Sequence, residues 1–186
     1  EFGVGKTTLA RLVYDDAETA KHFDLKAWVC VSDQFDAVRI TKTVLNSVST
    51  SQSNTDSLDF NQIQDKLREK LKGKKFLLVL DDMWNDNYGD WCCLQSPFLL
   101  GSRGSKIIVT TRSKKVANMM EGDKNLHELQ NLSDDECWSV FKKHAFGNSS
   151  IDEHSNLALI GKEIVRKCGG LPLAATALGG LPNPEF

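Results

Sequence analysis

The chain has 186 residues, 40% hydrophobic and 26% charged, with a formal net charge of −2. That length suffices for one substantial core, or for one domain with part of a second. The slightly acidic balance offers no basic surface for nucleic acid, and no purely apolar run, Phe76 to Leu80 included, exceeds five residues, far too short to span a membrane.

The first element is a glycine-rich turn. Gly3-Val4-Gly5-Lys6-Thr7-Thr8 has the form of the back half of a Walker A phosphate-binding loop. Glycines there let backbone N–H groups turn toward an anion, because a side chain would block the approach. Lys6 supplies a point charge for β- and γ-phosphates, Thr7 a hydroxyl for magnesium, and the helix that follows adds its N-terminal dipole. The pattern's first glycine would stand just before Glu1, and the strand feeding the loop would lie further upstream. The sequence is therefore expected to be an N-terminally truncated fragment. Glu-Phe, the dipeptide an EcoRI site encodes in one frame, stands at both ends, which are expected to be cloning-derived.

A helix is expected from Thr7 to about His22, with Leu9, Leu12 and Val13 on its apolar side. Leu25 to Val31 reads as a buried strand. Val38, Thr41, Leu45 and Val48 recur at helical spacing, and Ser49 to Asp59 is a polar loop. Phe60, Ile63, Leu67 and Leu71 mark another helix, stopped by Gly73. Phe76 to Leu80 predicts a buried parallel strand ending in Asp81 and Asp82. Lys106 to Thr110 repeats that design, and a short strand is expected around Leu126 to Leu129. Strands alternating with helices predict an α/β fold with a parallel sheet covered on both faces, its first strand missing from this chain.

From about residue 131 only helices are expected. Ser133 to Glu136 forms a capping box that opens a helix carrying Trp138, Phe141 and Ala145. Leu157, Ile160, Ile164, Val165 and Cys168 form a second helical stripe, closed by Gly169-Gly170, and Pro172 can begin a third helix. The predicted organisation is an α/β domain over 1–130, part of a small helical subdomain over 131–181, and a cloning-derived tail over 182–186. Trp28, Trp84, Trp91 and Trp138 form no stacking stripe and are expected as core packing. The five cysteines contain no CxxC pair and read as reduced thiols, with Cys30 and Cys168 expected to be buried. His22, His127, His144 and His154 are scattered, so no zinc site is expected, and His144 and His154 read as structural.

Three sets of polar residues carry the expected chemistry. An acid ending a buried strand is costly unless it meets a cation or hydrogen bonds, so Asp81 is a candidate to hold, with Thr7, a magnesium ion. Asp82 can orient or activate a water, or cap the following loop through backbone hydrogen bonds. Thr110, Thr111 and Arg112 end the next strand, at the sheet edge where open α/β sheets bind ligands. They can sense a terminal phosphate, although Arg112 equally fits a surface salt bridge.

Taken together, these segments closely resemble the nucleotide-binding (NB-ARC) domain of plant disease-resistance proteins with leucine-rich repeats. Gly3 to Thr8 fits the phosphate loop, and Phe23 to Ser32 (FDLKAWVCVS) the segment after the first helix. Lys75 to Trp84 (KFLLVLDDMW) matches the Walker B region, and Gly104 to Arg112 (GSKIIVTTR) is similar to the sensor segment. Leu132 to Phe141 (LSDDECWSVF) and Gly170 to Ala174 (GLPLA) are like motifs of the helical subdomain. Trp84 and the Trp28 segment point to the coiled-coil class. Phe2 departs from the pattern, standing where the family usually carries glycine.

The resemblance implies a P-loop NTPase fold and a cytoplasmic ADP/ATP switch in an immune receptor, with slow magnesium-dependent ATP hydrolysis as a reset. It assigns phosphate binding to Gly3, Val4, Gly5, Lys6, Thr7 and Thr8, magnesium to Thr7 and Asp81, and hydrolysis to Asp82. Thr111 and Arg112 become the sensor, and Pro172 approaches the nucleoside from the helical subdomain. The implied partners are the parent protein's own N-terminal coiled coil and C-terminal leucine-rich repeats, with homo-oligomerisation on activation. Little or no activity is expected of the fragment itself. The competing readings are a generic P-loop ATPase or kinase, and a fragment that binds no nucleotide because its loop is truncated.

Overall fold

A computed structural model describes residues 2–31, 35–49, 57–121, 125–147 and 156–181. Most of the polar loop expected over 49–59, together with Ser32, His154 and the tail over 182–186, lies outside the described residues. The chain divides into two compact units, Thr7–Leu126 and the combination of Glu1–Lys6 with His127–Phe186.

The Thr7–Leu126 unit is built on a parallel sheet whose described strands are β1 (Leu25–Cys30), β2 (Phe76–Asp81) and β3 (Lys106–Val109), in the order β1-β2-β3. Trp28 pairs with Val79, and Val79 with Ile108, so β2 is the middle strand. All six of its residues are buried, as a continuous apolar run demands when both faces of a parallel sheet are covered. Helices α3 (Ala37–Val48) and α4 (Phe60–Leu71) deliver Ile40, Leu45, Ile63 and Leu67 to the core formed with Val29, Leu78 and Leu80. Burying a leucine such as Leu67 contributes about 1.5–3 kcal/mol. Both helices begin where a side chain captures unpaired N–H groups: Asp36 accepts from Val38 and Arg39, and Asp59 forms a capping box with Gln62.

The helix expected over Thr7 to His22 is interrupted. It forms α1 (Lys6–Asp15) and a short α2 (Ala17–Ala20), because Asp16 is extended and its carboxylate accepts from the Thr19 N–H, capping a new helix. Nor is the buried side of α1 the expected one. Ala10 is buried, whereas Leu9, Leu12 and Val13 are exposed, Leu12 by 66%. Instead, Arg11 stacks 3.8 Å over the Trp28 ring, Tyr14 meets that ring edge-on at 5.5 Å, and the Lys26 ammonium donates to the Tyr14 carbonyl. Partial burial raises the Tyr14 phenol above its ordinary pKa.

Other expectations shift for equally local reasons. Cys30 is exposed between buried Val29 and Val31, since alternate residues of an extended chain point to opposite sides. Val38 is exposed, and the buried face of α3 runs instead through Ile40, Thr41, Val44 and Leu45. Trp91 and Trp138 are buried and Trp28 is half-buried, but Trp84 is 46% exposed. Residues 126–129 form no strand; Leu126, His127 and Glu128 are exposed, too polar a stretch to bury an apolar face. Helix α5 (Tyr88–Gln95), capped by Asn87, a 3-10 turn over Ser96–Leu100, and α6 (Lys114–Glu121) complete this unit.

The second unit contains α7 (Asp134–Phe146), α8 (Asn156–Lys167) and α9 (Pro172–Gly179). Ser133 opens α7 as expected: its hydroxyl accepts from the Glu136 N–H, and the Glu136 carboxylate accepts from the Ser133 N–H at 2.9 Å. The core joins Cys137, Trp138 and Phe141 to Ala158, Val165, Cys168 and Ala175. Leu157 and Ile160, expected inside, are exposed. The rings of Trp138 and Phe141 fill the space beside α8, and a Cβ on Gly161 would stand 2.6 Å from the Trp138 ring. Small residues must therefore face α7, which turns the large ones outward. The segment before α7 is stitched to the one before α9: the Leu132 N–H donates to the Gly170 carbonyl at 2.8 Å, and the Asn131 amide to the Gly169 carbonyl at 3.0 Å.

Candidate functional site

The carboxyl ends of the parallel strands bring a compact polar group together. Asp81 closes β2 with only 6% of its surface exposed. Its Oδ1 accepts from the Thr7 hydroxyl at 2.9 Å and from the Thr110 hydroxyl at 2.5 Å. Such donors offset the cost of a buried carboxylate. Thr7 lies in the first turn of α1, so the acid also meets the positive end of a helix dipole. A carboxylate and a hydroxyl 2.9 Å apart are hard oxygen donors, and this set fits a small divalent cation such as magnesium.

Thr110 does more than contact Asp81. Its Oγ1 also accepts from the Asp82 N–H at 2.8 Å, while its own N–H donates to the Leu80 carbonyl at 3.0 Å. One hydroxyl thus fixes the side chain of the first acid and the backbone of the second. The sequence places Thr110 with Thr111 and Arg112 at the ligand-binding edge of the sheet, but does not assign it to the two acids. The available signal is the strand alternation, which carries Ile108 and Thr110 to the same side.

Asp82 takes a different course. Its φ of 57° puts it in the left-handed region, the sole non-glycine with positive φ among the described residues. The carboxylate accepts from Arg112 at both oxygens, Nε to Oδ1 at 3.3 Å and Nη2 to Oδ2 at 3.1 Å, each side chain being 28% exposed. The same guanidinium stacks 4.0 Å over the Trp84 ring. Of the two alternatives open for Arg112, the structure shows the salt bridge, and its partner is another candidate residue, Asp82. The Thr111 hydroxyl donates to the Met83 carbonyl at 2.7 Å and accepts from the Ser113 N–H at 3.0 Å, bracing the turn that carries Arg112.

The remaining candidates belong chiefly to the second unit. Gly3 has a φ of 79°, and its carbonyl accepts from the Leu173 N–H at 3.2 Å. A Cβ at Gly3 would stand 3.1 Å from the Leu173 Cβ, so both the backbone conformation and the close approach require glycine. Val4 is buried, Gly5 also has positive φ, and Lys6 begins α1. Thr8, in the Thr7–Leu126 unit, is exposed on the first turn of α1. Pro172 is the first residue of α9, where its missing N–H costs nothing. The structure thus joins Thr7 with Asp81 in one cluster and Asp82 with Arg112 in another, and Gly3 with the residue that follows Pro172.

Comparison with known proteins agrees with this architecture. The model of the NB-ARC domain matches residues 2–151. The disease resistance protein RGA2 of Solanum bulbocastanum is 43% identical over 179 residues, covering 96% of this chain and 18% of that protein. The disease resistance RPP13-like protein 4 of Arabidopsis thaliana is 37% identical over 181 residues, covering 96% of this chain and 21% of its own length. The chain thus spans about a fifth of the curated relatives it matches. A solved structure of the Aeropyrum pernix ORC2 protein in ADPNP–ADP complexes superposes with a TM-score of 0.61 at 16% identity, over 95% of this chain and 52% of that one. This similarity shows the fold: mixed α/β with a parallel sheet and a helical part, as in P-loop NTPases.

Proposed function

Because the chain belongs to the NB-ARC domain family, homologous to plant disease-resistance proteins of the coiled-coil, nucleotide-binding, leucine-rich-repeat class, we propose that it is the ADP/ATP-binding switch module of a cytoplasmic immune receptor. The hydrogen bond between Thr7 and Asp81 carries this reading. It joins the hydroxyl next to Lys6 to the acid at the end of β2, the two protein oxygens that a nucleotide's magnesium needs.

In this reading Gly3, Val4, Gly5, Lys6, Thr7 and Thr8 cradle the phosphates through backbone N–H groups, the lysine charge and the helix dipole. Thr7 and Asp81 hold magnesium, which when bound neutralises charge on the phosphates. Asp82 positions the water for a slow hydrolysis that resets the switch. Arg112, its turn braced by Thr111, senses the terminal phosphate, and Pro172 lies toward the nucleoside. The receptor's coiled coil and leucine-rich repeats are the module's partners, and ATP loading favours homo-oligomers. No helix among the described residues is long and apolar enough to cross a membrane.

The test is calorimetric titration of the full-length protein that contains this sequence with ADP and ATP in the presence of magnesium. Lys6→Ala is expected to weaken both nucleotides, and Asp81→Ala to remove the magnesium dependence. Absence of binding at millimolar nucleotide with Lys6 and Asp81 intact would sink the reading. Fast steady-state phosphate release would replace the switch with an ordinary ATPase.

A further inference from the structure

Trp84 has no role in the reading above. It is large, apolar and 46% exposed, placed just past Asp81 and Asp82 at the end of β2. An exposed indole is ordinary by itself. Its neighbours are not. The ring lies 4.0 Å from the Arg112 guanidinium carbon, on the same cation whose Nε and Nη2 bind both oxygens of Asp82. Asp82 reaches that arginine from a left-handed backbone conformation, which asparagine and aspartate tolerate better than most residues. Three features of the chain, a backbone turn, a two-point ion pair and an aromatic face, thus hold one cation in one place.

From this arrangement we infer that Trp84 is a positioning residue that parks Arg112 on Asp82. The inference rests on the nucleotide-switch reading of the same site. Arginine presents five N–H donors in a planar fork, and the Asp82 contacts use Nε and Nη2, the side of the fork suited to two-point recognition of an oxyanion. A terminal phosphate that recruits this side must displace the Asp82 carboxylate. It must also draw the guanidinium across or away from the indole face, losing a contact of cation–π type. The parked pair occupies both oxygens of the carboxylate assigned to water as well. Arg112 and Asp82 therefore restrain each other until a terminal phosphate competes, and the ring sets how strongly it must compete. ADP, which lacks that phosphate, makes no such demand.

The proposal predicts a selective effect at Trp84. In the full-length protein containing this sequence, Trp84→Leu keeps apolar bulk without the π face, and Trp84→Phe keeps a smaller aromatic face. Calorimetric titration with magnesium and the non-hydrolysed analogue AMP-PNP is expected to give about two- to five-fold tighter binding in Trp84→Leu, the range of one exposed cation–π contact. ADP affinity stays unchanged, and Trp84→Phe falls between wild type and Trp84→Leu. Equal shifts for ADP and AMP-PNP, or no shift, would make the ring mere packing and overturn the proposal. Weaker AMP-PNP binding in Trp84→Leu would overturn it too, by showing that the ring serves the engaged arginine. If Trp84→Leu fails to fold, Trp84→Phe decides by the same comparison. A wild-type protein that binds neither nucleotide defeats the switch reading itself, a result separable from every outcome at Trp84.

Discussion

The Thr110 hydroxyl donates to Asp81 Oδ1 at 2.5 Å, spanning the ends of β3 and β2. A hydrogen bond to an ionised oxygen is shorter and stronger than a neutral one. Here it also anchors the next residue, because the same hydroxyl accepts the Asp82 N–H. The acid that would serve magnesium and the acid paired with Arg112 are thus held by one threonine.

Removing that hydroxyl at constant shape isolates its contribution. Thr110→Val leaves the Asp82 N–H and Asp81 Oδ1 each short of a partner in a largely buried setting, and the expected loss is about 1–3 kcal/mol. Thr110→Ser keeps the hydroxyl and should lose distinctly less. Urea denaturation of both variants checks the ordering; equal stability of valine and wild type would show that the hydroxyl holds nothing.

Acid should loosen the start of α7. The Ser133 N–H, and then its hydroxyl, donate to the Glu136 carboxylate and hold its pKa below the ordinary 4.5. A carboxylate with a lowered folded pKa contributes stability that is fully present above the unfolded value. That stability is lost as pH falls below the ordinary 4.5 and through the lowered folded value. Glu136→Gln keeps an acceptor at that position without titrating, so it should flatten this part of the acid transition. Asp16, lowered by the Thr19 N–H, has the same sign in the other unit and should persist in the variant. Circular dichroism melts across this range test the difference.

Gly161 lies within a helix, where alanine is ordinarily preferred by about 1 kcal/mol. Its methyl would meet the Trp138 ring at 2.6 Å and Phe141 at 3.1 Å. Overpacking of a rigid core costs about 1–3 kcal/mol, so Gly161→Ala should destabilise the helical unit on balance. The near-ultraviolet signal of Trp138 should change with it. A more stable variant would mean that α7 and α8 do not approach so closely.

Legibility in the sequence followed the range of the interactions. Helix α4 runs from Phe60 to Leu71, the limits its apolar spacing predicts, and β2 stops at the acids, because periodicity and burial act locally there. The Ser133–Glu136 box was readable for the same reason. The buried face of α8 was not. Leu157, Ala158, Leu159, Ile160, Ile164 and Val165 put apolar groups on several sides, and only the rings of α7 decide which side is inside. Among the candidate site residues, Thr7 and Asp81 were legible as a motif pair 74 positions apart. The grip of Asp82 and Trp84 on Arg112 was not, because it depends on a backbone turn at Asp82 that no spacing announces.

The seam between Leu132 and Gly170 has a consequence for the order of folding. Gly170 has a φ of 74°, and a Cβ there would lie 2.4 Å from the Leu132 carbonyl oxygen, so the two backbones meet without room for a side chain. The neighbouring bond, from Asn131 to Gly169, joins residues 38 apart in sequence. Closing a loop of that length carries an entropic cost of about 3 kcal/mol. On a ribosome, Asn131 and Leu132 emerge first, and their backbone partners arrive only with the glycines. The helical unit is therefore completed from its far end, and a nascent chain stopped before Gly169 would leave its first helix without its tether.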